Sequence, residues 1–207
     1  CEDVAAGDEL QVLYGIGGER NIEESELDHL EGYEHSRPVR VGNAAYNQNQ
    51  HDVWGTLLDS VYIHTKERDQ LPESAWPILA RQVEQAIEHW REPDRGIWEV
   101  RGEPKHFTSS KIFCWLACDR GARLARLRSD TATAERWQQV ADEIRADVLE
   151  HGVDHEKQRF VQHYGSDALD AAVFNQLVLE RRRTGLPICP AHPAEQEHAS
   201  RHQENTQ

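Results

Sequence analysis

Methionine is missing from the 207-residue chain, lysine occurs four times against nineteen arginines, and cysteine is confined to positions 1, 114, 118 and 189. The lack of Met, with Cys1 in first place, leads us to expect an interior or processed start. Four cysteines at such spacings make no disulfide framework. Cys114 and Cys118 stand four apart in a helical pattern, where a bridge along one helix is disfavoured. Buried free thiols are the expectation, and with them a reducing, cytoplasmic compartment. No stretch approaches the roughly 20 apolar residues of a membrane span, and no secretory signal pattern is visible. Basic runs are absent apart from Arg181 to Arg183. With 37 acidic against 23 basic residues the formal charge is −14, which repels phosphate backbones and anionic lipid. Neither nucleic acid nor membrane is expected as a partner.

What the chain does have is helical periodicity and six tryptophans. Val53, Trp54, Leu57, Leu58 and Val61 repeat at helical spacing and predict a helix over 48–66. Trp76, Leu79, Val83, Ile87 and Trp90 predict another over 74–91, with Pro77 tolerated in the first turn and Pro93 closing the end. The segment 109–128 is apolar nearly all round in its first half (Ile112, Phe113, Trp115, Leu116), the mark of a helix buried on several sides. Trp137, Val140, Ala141, Ile144 and Val148 predict a fourth over 131–150, ended by Gly152. Before these, Leu10 to Tyr14 alternates like a short strand and runs into Gly15-Ile16-Gly17-Gly18. A dinucleotide fingerprint would need a third glycine where Arg20 stands, so a Gly-rich turn is the reading. Residues 19–45 read as a long loop with one helical turn near Glu23 to Leu30. After Ile188 no large apolar residue occurs, and the end of the chain is expected to be disordered.

The link between the second and third helices, 92–108, exceeds the roughly 2–8 residues usual between packed helices. Its stretch Ile97-Trp98-Glu99-Val100 is partly apolar and should be ordered and packed. A carboxyl shielded from water beside Trp98 has its charged form disfavoured, which suits Glu99 to work as a general acid. If the stretch is extended, Glu99, Arg101 and Glu103 share one side, and Arg101 would hold one acid ionised while the other keeps its proton. The same residues fit a salt-bridged surface loop anchored by a tryptophan.

Tyr14-Gly15-Ile16-Gly17-Gly18-Glu19-Arg20, Ser36-Arg37-Pro38-Val39-Arg40-Val41-Gly42-Asn43, and Trp90-Arg91-Glu92-Pro93-Asp94-Arg95-Gly96-Ile97-Trp98-Glu99-Val100-Arg101-Gly102-Glu103-Pro104 occur in this order, followed by Lys111 through Asp119. Together they closely resemble glycoside hydrolase family 15, in its bacterial and archaeal glucoamylase-like and trehalase-like members, over roughly residues 8 to 173. The resemblance implies an all-α fold, a partial (α/α)6 barrel of alternating inner and outer helices with its site in the loops at one end. Residues 1–173 would be part of the glycosidase domain and 174–207 a divergent, disordered tail, with the change after Val173 like a shifted frame or early end.

The activity implied is inverting hydrolysis of terminal α-linked glucose in trehalose, maltose or oligosaccharides by two carboxylates roughly 6.5–9.5 Å apart. Glu99 follows a Trp, as the family's acid does. Val100 stands where glucoamylases carry a second acid, which points to the trehalase-like branch. Glu103 would be a supporting acid, and Arg37, Asn43, Trp98 and Arg101 would contact sugar. The base falls beyond the resembling part, so the missing half of the barrel in a full-length parent is an implied partner, and inner helices should expose apolar faces. The alternative is a non-catalytic carbohydrate-binding or helical interaction module. No cofactor or metal is expected: His151 and His155 straddle Gly152, and His198 and His202 lie in the tail. Asn43, Gln48 and Asp52, at the start of the first helix, suit either sugar hydroxyls or helix capping.

Overall fold

The computed structural model describes residues 10–68 and 71–173, so the expectations for Cys1 and for a tail over 174–207 lie outside the described residues. Four helices dominate: α1 (Asp52–Arg68), α2 (Trp76–His89), α3 (Thr108–Leu127) and α4 (Thr131–His151). All four are those the periodicity predicts. A 3-10 turn, Glu73–Ala75, leads into α2, and Pro77 sits in its first turn. Asp130 caps α4 by accepting the Thr133 N–H at 3.1 Å. The largest difference in boundary is at α1, which starts at Asp52 rather than 48. The preceding residues are taken by turns in which Tyr46 N–H donates to Asn43 O and Gln48 N–H to Ala45 O.

The loop segments depart further from expectation. Leu10 to Tyr14 is not a strand. No strand among the described residues pairs with it; instead Gln11 gives its side-chain amide to the Arg20 and Tyr46 carbonyls. The glycine turn after it closes through Gly15 N–H to Glu19 O and Gly18 N–H to Gly15 O. The helical turn expected near 23–30 is replaced by a two-stranded ribbon, β1 (Ser25–Glu26) antiparallel to β2 (Arg40–Val41). On a helix Glu23 would face Glu26 and Glu24 would face Asp28, two like-charge pairs that disfavour it. In the ribbon Glu24 and Glu26 both reach Arg40, at 3.3 and 3.1 Å. A second ribbon, β3 (Val153–Asp154) with β4 (Arg159–Phe160), follows α4.

α3 is the centre of the molecule, buried along almost its whole length. α1 lies beside it and runs the same way: Gly55 meets the Phe113 backbone, and further along Asp59 accepts from Arg120 Nε at 2.8 Å. α4 runs back along α3, with Trp137 against Gly121 near its own start and Gly152 against Thr108 at its end. α2 ends beside α3's first turn, where Lys111 reaches the Trp90 carbonyl. The starts of α1 and α3 and the ends of α2 and α4 therefore gather at one end, with the loops 42–51 and 92–107 and the β3–β4 ribbon. One apolar core, including Leu58, Val83, Trp90, Leu124, Trp137 and Ile144, joins all four helices.

On α1, Val53, Trp54, Leu57, Val61 and Ile63 are half-buried. Its exposed positions, Thr56, Ser60, His64, Lys66 and Glu67, are all polar. Among the described residues no helix is long and apolar enough to cross a membrane.

Candidate active site

The long link between α2 and α3 forms a loop whose neck is buried on its Asp94 side and exposed at Lys105. Asp94 and Lys105 pair across it, N–H to O both ways, at 3.0 and 2.9 Å. Below the neck Phe107 bridges to His163, and Thr108 N–H reaches Gln162 O at 3.0 Å. Asp94 is 1% exposed, and its Oδ2 accepts the His51 N–H at 3.0 Å, tying the neck to the start of α1. Lys111, equally buried, donates Nζ to the carbonyls of Trp90 and Glu92 and so ties the neck to the end of α2. Those carbonyls would otherwise be left over at the helix end.

Burial sets the electrostatics under the loop. It pushes the Asp94 carboxyl up, offset in part by the His51 N–H, the Ser110 hydroxyl and the Lys111 charge. It pushes Lys111 down, offset mainly by Cys114 and Asp94. His51, stacked on Trp54 at 5.0 Å between centroids, falls to about 3 through burial, with Lys111, His89 and His106 adding to it. Asp52 rises to about 6, again through burial. None of Asp94, Lys111 and His51 was singled out from the sequence. The available signal was a lysine inside a run, Lys111-Ile112-Phe113-Cys114-Trp115, whose apolar surroundings already called for burial.

The crown of the loop is a turn over 96–99. Gly96 has φ 66° and Glu99 φ 51°, a left-handed conformation that costs a non-glycine residue about 1 kcal/mol or more. Glu99 N–H closes the turn onto Gly96 O at 3.2 Å. The Glu99 side chain is half-buried, and its Oε2 accepts from Asn43 Nδ2 at 3.2 Å, across 56 residues of sequence.

This turn corrects the extended, packed stretch expected from the sequence. Because the chain reverses at Gly96, Glu99, Arg101 and Glu103 do not line up. Arg101 pairs with Glu24 at 3.0 Å, a carboxylate the ribbon already presents to Arg40. Ile97 and Trp98 are 39% and 58% exposed rather than packed. Trp98 does not roof Glu99; its Nε1–H is held by Asp170 Oδ1 at 2.8 Å, leaving much of the indole open to solvent. Arg37 and Glu103 are exposed and stand outside these contacts.

A polar cleft of about 520 Å³ opens beside the loop, lined by Asn47, Gln48, Asn49, Asp94, Arg95 and Arg101 among others. Arg95 N–H on the loop meets Asn49 O across it at 3.3 Å. Of the six residues picked from the sequence, Asn43 and Glu99 touch, Arg101 lines the cleft, and Trp98, Glu99's neighbour in the chain, gives its indole N–H to Asp170. The carboxamides and guanidinium groups of the cleft can bind vicinal hydroxyls, while Glu99 stands outside the lining. Among the described residues, no group of three His, Cys, Asp or Glu side chains stands so as to hold a metal ion.

Comparison with known proteins adds the family. The model of "Glycosyl hydrolases family 15" matches residues 2–205, taking in the segment 174–205 set apart above as a tail. A trehalase of Mycobacterium tuberculosis is 63% identical over 164 residues, 79% of this chain and 24% of that protein. A trehalase of Thermoplasma volcanium is 36% identical over 171 residues, 82% and 27% of the two chains. Among solved structures, a glycosidase variant in complex with glucose superposes with a TM-score of 0.56 at 24% identity, covering 62% of this chain and 34% of that one. The chain thus spans about a quarter of the length of the curated relatives it matches.

Proposed function

The chain belongs to glycosyl hydrolases family 15, and from that premise we propose that it carries the general acid for inverting hydrolysis of a terminal α-linked glucose, with trehalose as the substrate. Relatives named trehalase, and Val100 in place of a second acid after Glu99, support the disaccharide. The observation that carries the reading is Glu99 itself, presented on a closed left-handed turn and hydrogen-bonded through one oxygen beside a polar cleft. In the reaction the bond from C1 to the glycosidic oxygen breaks, its electron pair stays on that oxygen, and the oxygen takes the Glu99 proton. Water attacks C1 from the opposite face and loses a proton to a second carboxylate. That base is the second of the two carboxylates, and the chain spans about a quarter of the length of the trehalase relatives. Arg101 at the cleft wall and the open face of Trp98 are the sugar contacts, with Arg37 further out and Glu103 as a supporting acid.

In the complete polypeptide that contains this chain, Glu99→Gln should lower trehalose hydrolysis by a hundredfold to ten-thousandfold, the usual worth of general-acid catalysis. Unchanged turnover of both trehalose and maltose would overturn the assignment. For the 207 residues alone, the quarter-length coverage favours a second reading, a sugar-binding helical module without turnover. Glucose release by this chain, abolished by Glu99→Gln, would remove that reading.

A further inference from the structure

We infer that Asn43 is a positioning residue for the acid, holding Glu99 by Oε2 so that the transferable proton sits on Oε1. The inference rests on Glu99 being the general acid and assigns Asn43 a role different from that of a sugar ligand. Asn43 has little freedom to do anything else. Its Oδ1 accepts the Ala45 N–H at 2.8 Å, and its own N–H donates to Ile22 O at 2.9 Å. Flipping the amide would set Nδ2 against a backbone N–H and Oδ1 against a carboxylate, two repulsive contacts in place of two hydrogen bonds. Asn43 can therefore only donate towards Glu99.

The platform under it is equally fixed. Gly42 has φ 78°, and a Cβ there would stand 2.1 Å from Glu23 O, so the chain at 42–43 lies flush against 22–23. A carboxylic acid that accepts a hydrogen bond through one oxygen carries its proton on the other. Asn43 thus decides which Glu99 oxygen faces the bond to be broken, and limits the swing of a side chain mounted on an exposed turn. A misplacement of about 1 Å in such a group is enough to cost a hundredfold in rate.

Leaving-group chemistry separates this role from sugar binding. Trehalose needs its departing oxygen protonated, whereas the fluoride of α-glucosyl fluoride leaves with its electron pair and no proton. In the complete polypeptide, Asn43→Leu and Asn43→Asp should lose about ten- to a hundredfold in kcat on trehalose, with KM unchanged and α-glucosyl fluoride hydrolysed at close to the parent rate. Asn43→Asp keeps the acceptor for Ala45 N–H and alters only the group facing Glu99, so it decides the matter should Asn43→Leu not fold. If both substrates slow in parallel, or KM rises while kcat holds, Asn43 contacts sugar and the inference is wrong. Glu99→Gln assayed beside them keeps the two claims apart. Unchanged trehalose turnover in Glu99→Gln sinks the acid assignment itself, while a leaving-group split in Glu99→Gln without one at Asn43 sinks only the positioning role.

Discussion

At the scale of single residues, burial of polar groups beneath the acid loop has a measurable consequence. Asp52 is 8% exposed and its Oδ1 has no hydrogen-bond partner among the described residues, so its pKa rises from 3.8 to about 6. A carboxyl that holds its proton more tightly folded than unfolded weakens the fold as pH rises from about 4 through 6. At about 1.4 kcal/mol per unit this is on the order of 3 kcal/mol once the group is fully ionised. Asp52→Asn should therefore match the parent's urea midpoint at pH 4 and exceed it at pH 7.5. Equal stability of the two proteins at both pH values would contradict the burial argument. His51, lowered to about 3, tilts the parent the other way, losing stability as pH falls below 6.5, and that contribution cancels in the comparison.

The same residues show what a sequence can and cannot make legible. Glu99 and Asn43 were both picked out, one by its neighbour Trp98 and the other by family resemblance, but their contact was not. It depends on a turn at Gly96 that no side-chain pattern in Ile97-Trp98-Glu99-Val100 announces. The partner of Arg101 was misread for the same reason: alternation in an extended chain put it between Glu99 and Glu103, while the reversed chain hands it to Glu24.

At the scale of elements, periodicity located the helices well because each buries a wide apolar stripe, and α3's all-round apolar start foretold its central place. Short ribbons were not legible, since two-residue strands have no period to read. The close approach of α1 and α3 was also hidden, although its cause is a single glycine. A Cβ at Gly55 would stand 2.3 Å from the Phe113 carbonyl oxygen. Alanine there gains about 1 kcal/mol of helix propensity, but backbone against backbone cannot yield as a flexible side chain would. Overpacking of this kind costs about 1–3 kcal/mol, occasionally more, so the clash should win. Gly55→Ala is predicted to melt lower than the parent. Gly102→Ala is the control: its Cβ would meet only Val100, at 3.7 Å, and it should melt at or slightly above the parent. Should Gly55→Ala prove as stable as Gly102→Ala, the two helices do not touch where the structure puts them.

For the whole molecule the question is which electrostatic effect governs stability, the net charge of −14 or the ion pairs that lace the outer helices. Arg136 joins α4 to Glu84 on α2, Arg91 at the end of α2 reaches Glu143 on α4, and Arg128 holds Glu73 before α2. All three have at least one well-exposed partner, and such pairs are worth about 0–1 kcal/mol each. The two effects act over different lengths. Paired charges within 4 Å lie well inside the Debye length of about 10 Å at 0.1 M salt, whereas the acidic excess repels itself over longer distances that salt screens first. The buried group of Arg120 with Asp59 and Asp119 is shielded from both changes. Raising sodium chloride from about 10 to 300 mM should therefore raise Tm, with the gain levelling off as the screening length shrinks towards the pair distances. A Tm that falls over that range would mean the exposed Arg–Glu pairs outweigh the excess charge, and Arg136→Gln would then lower stability more at low salt than at high.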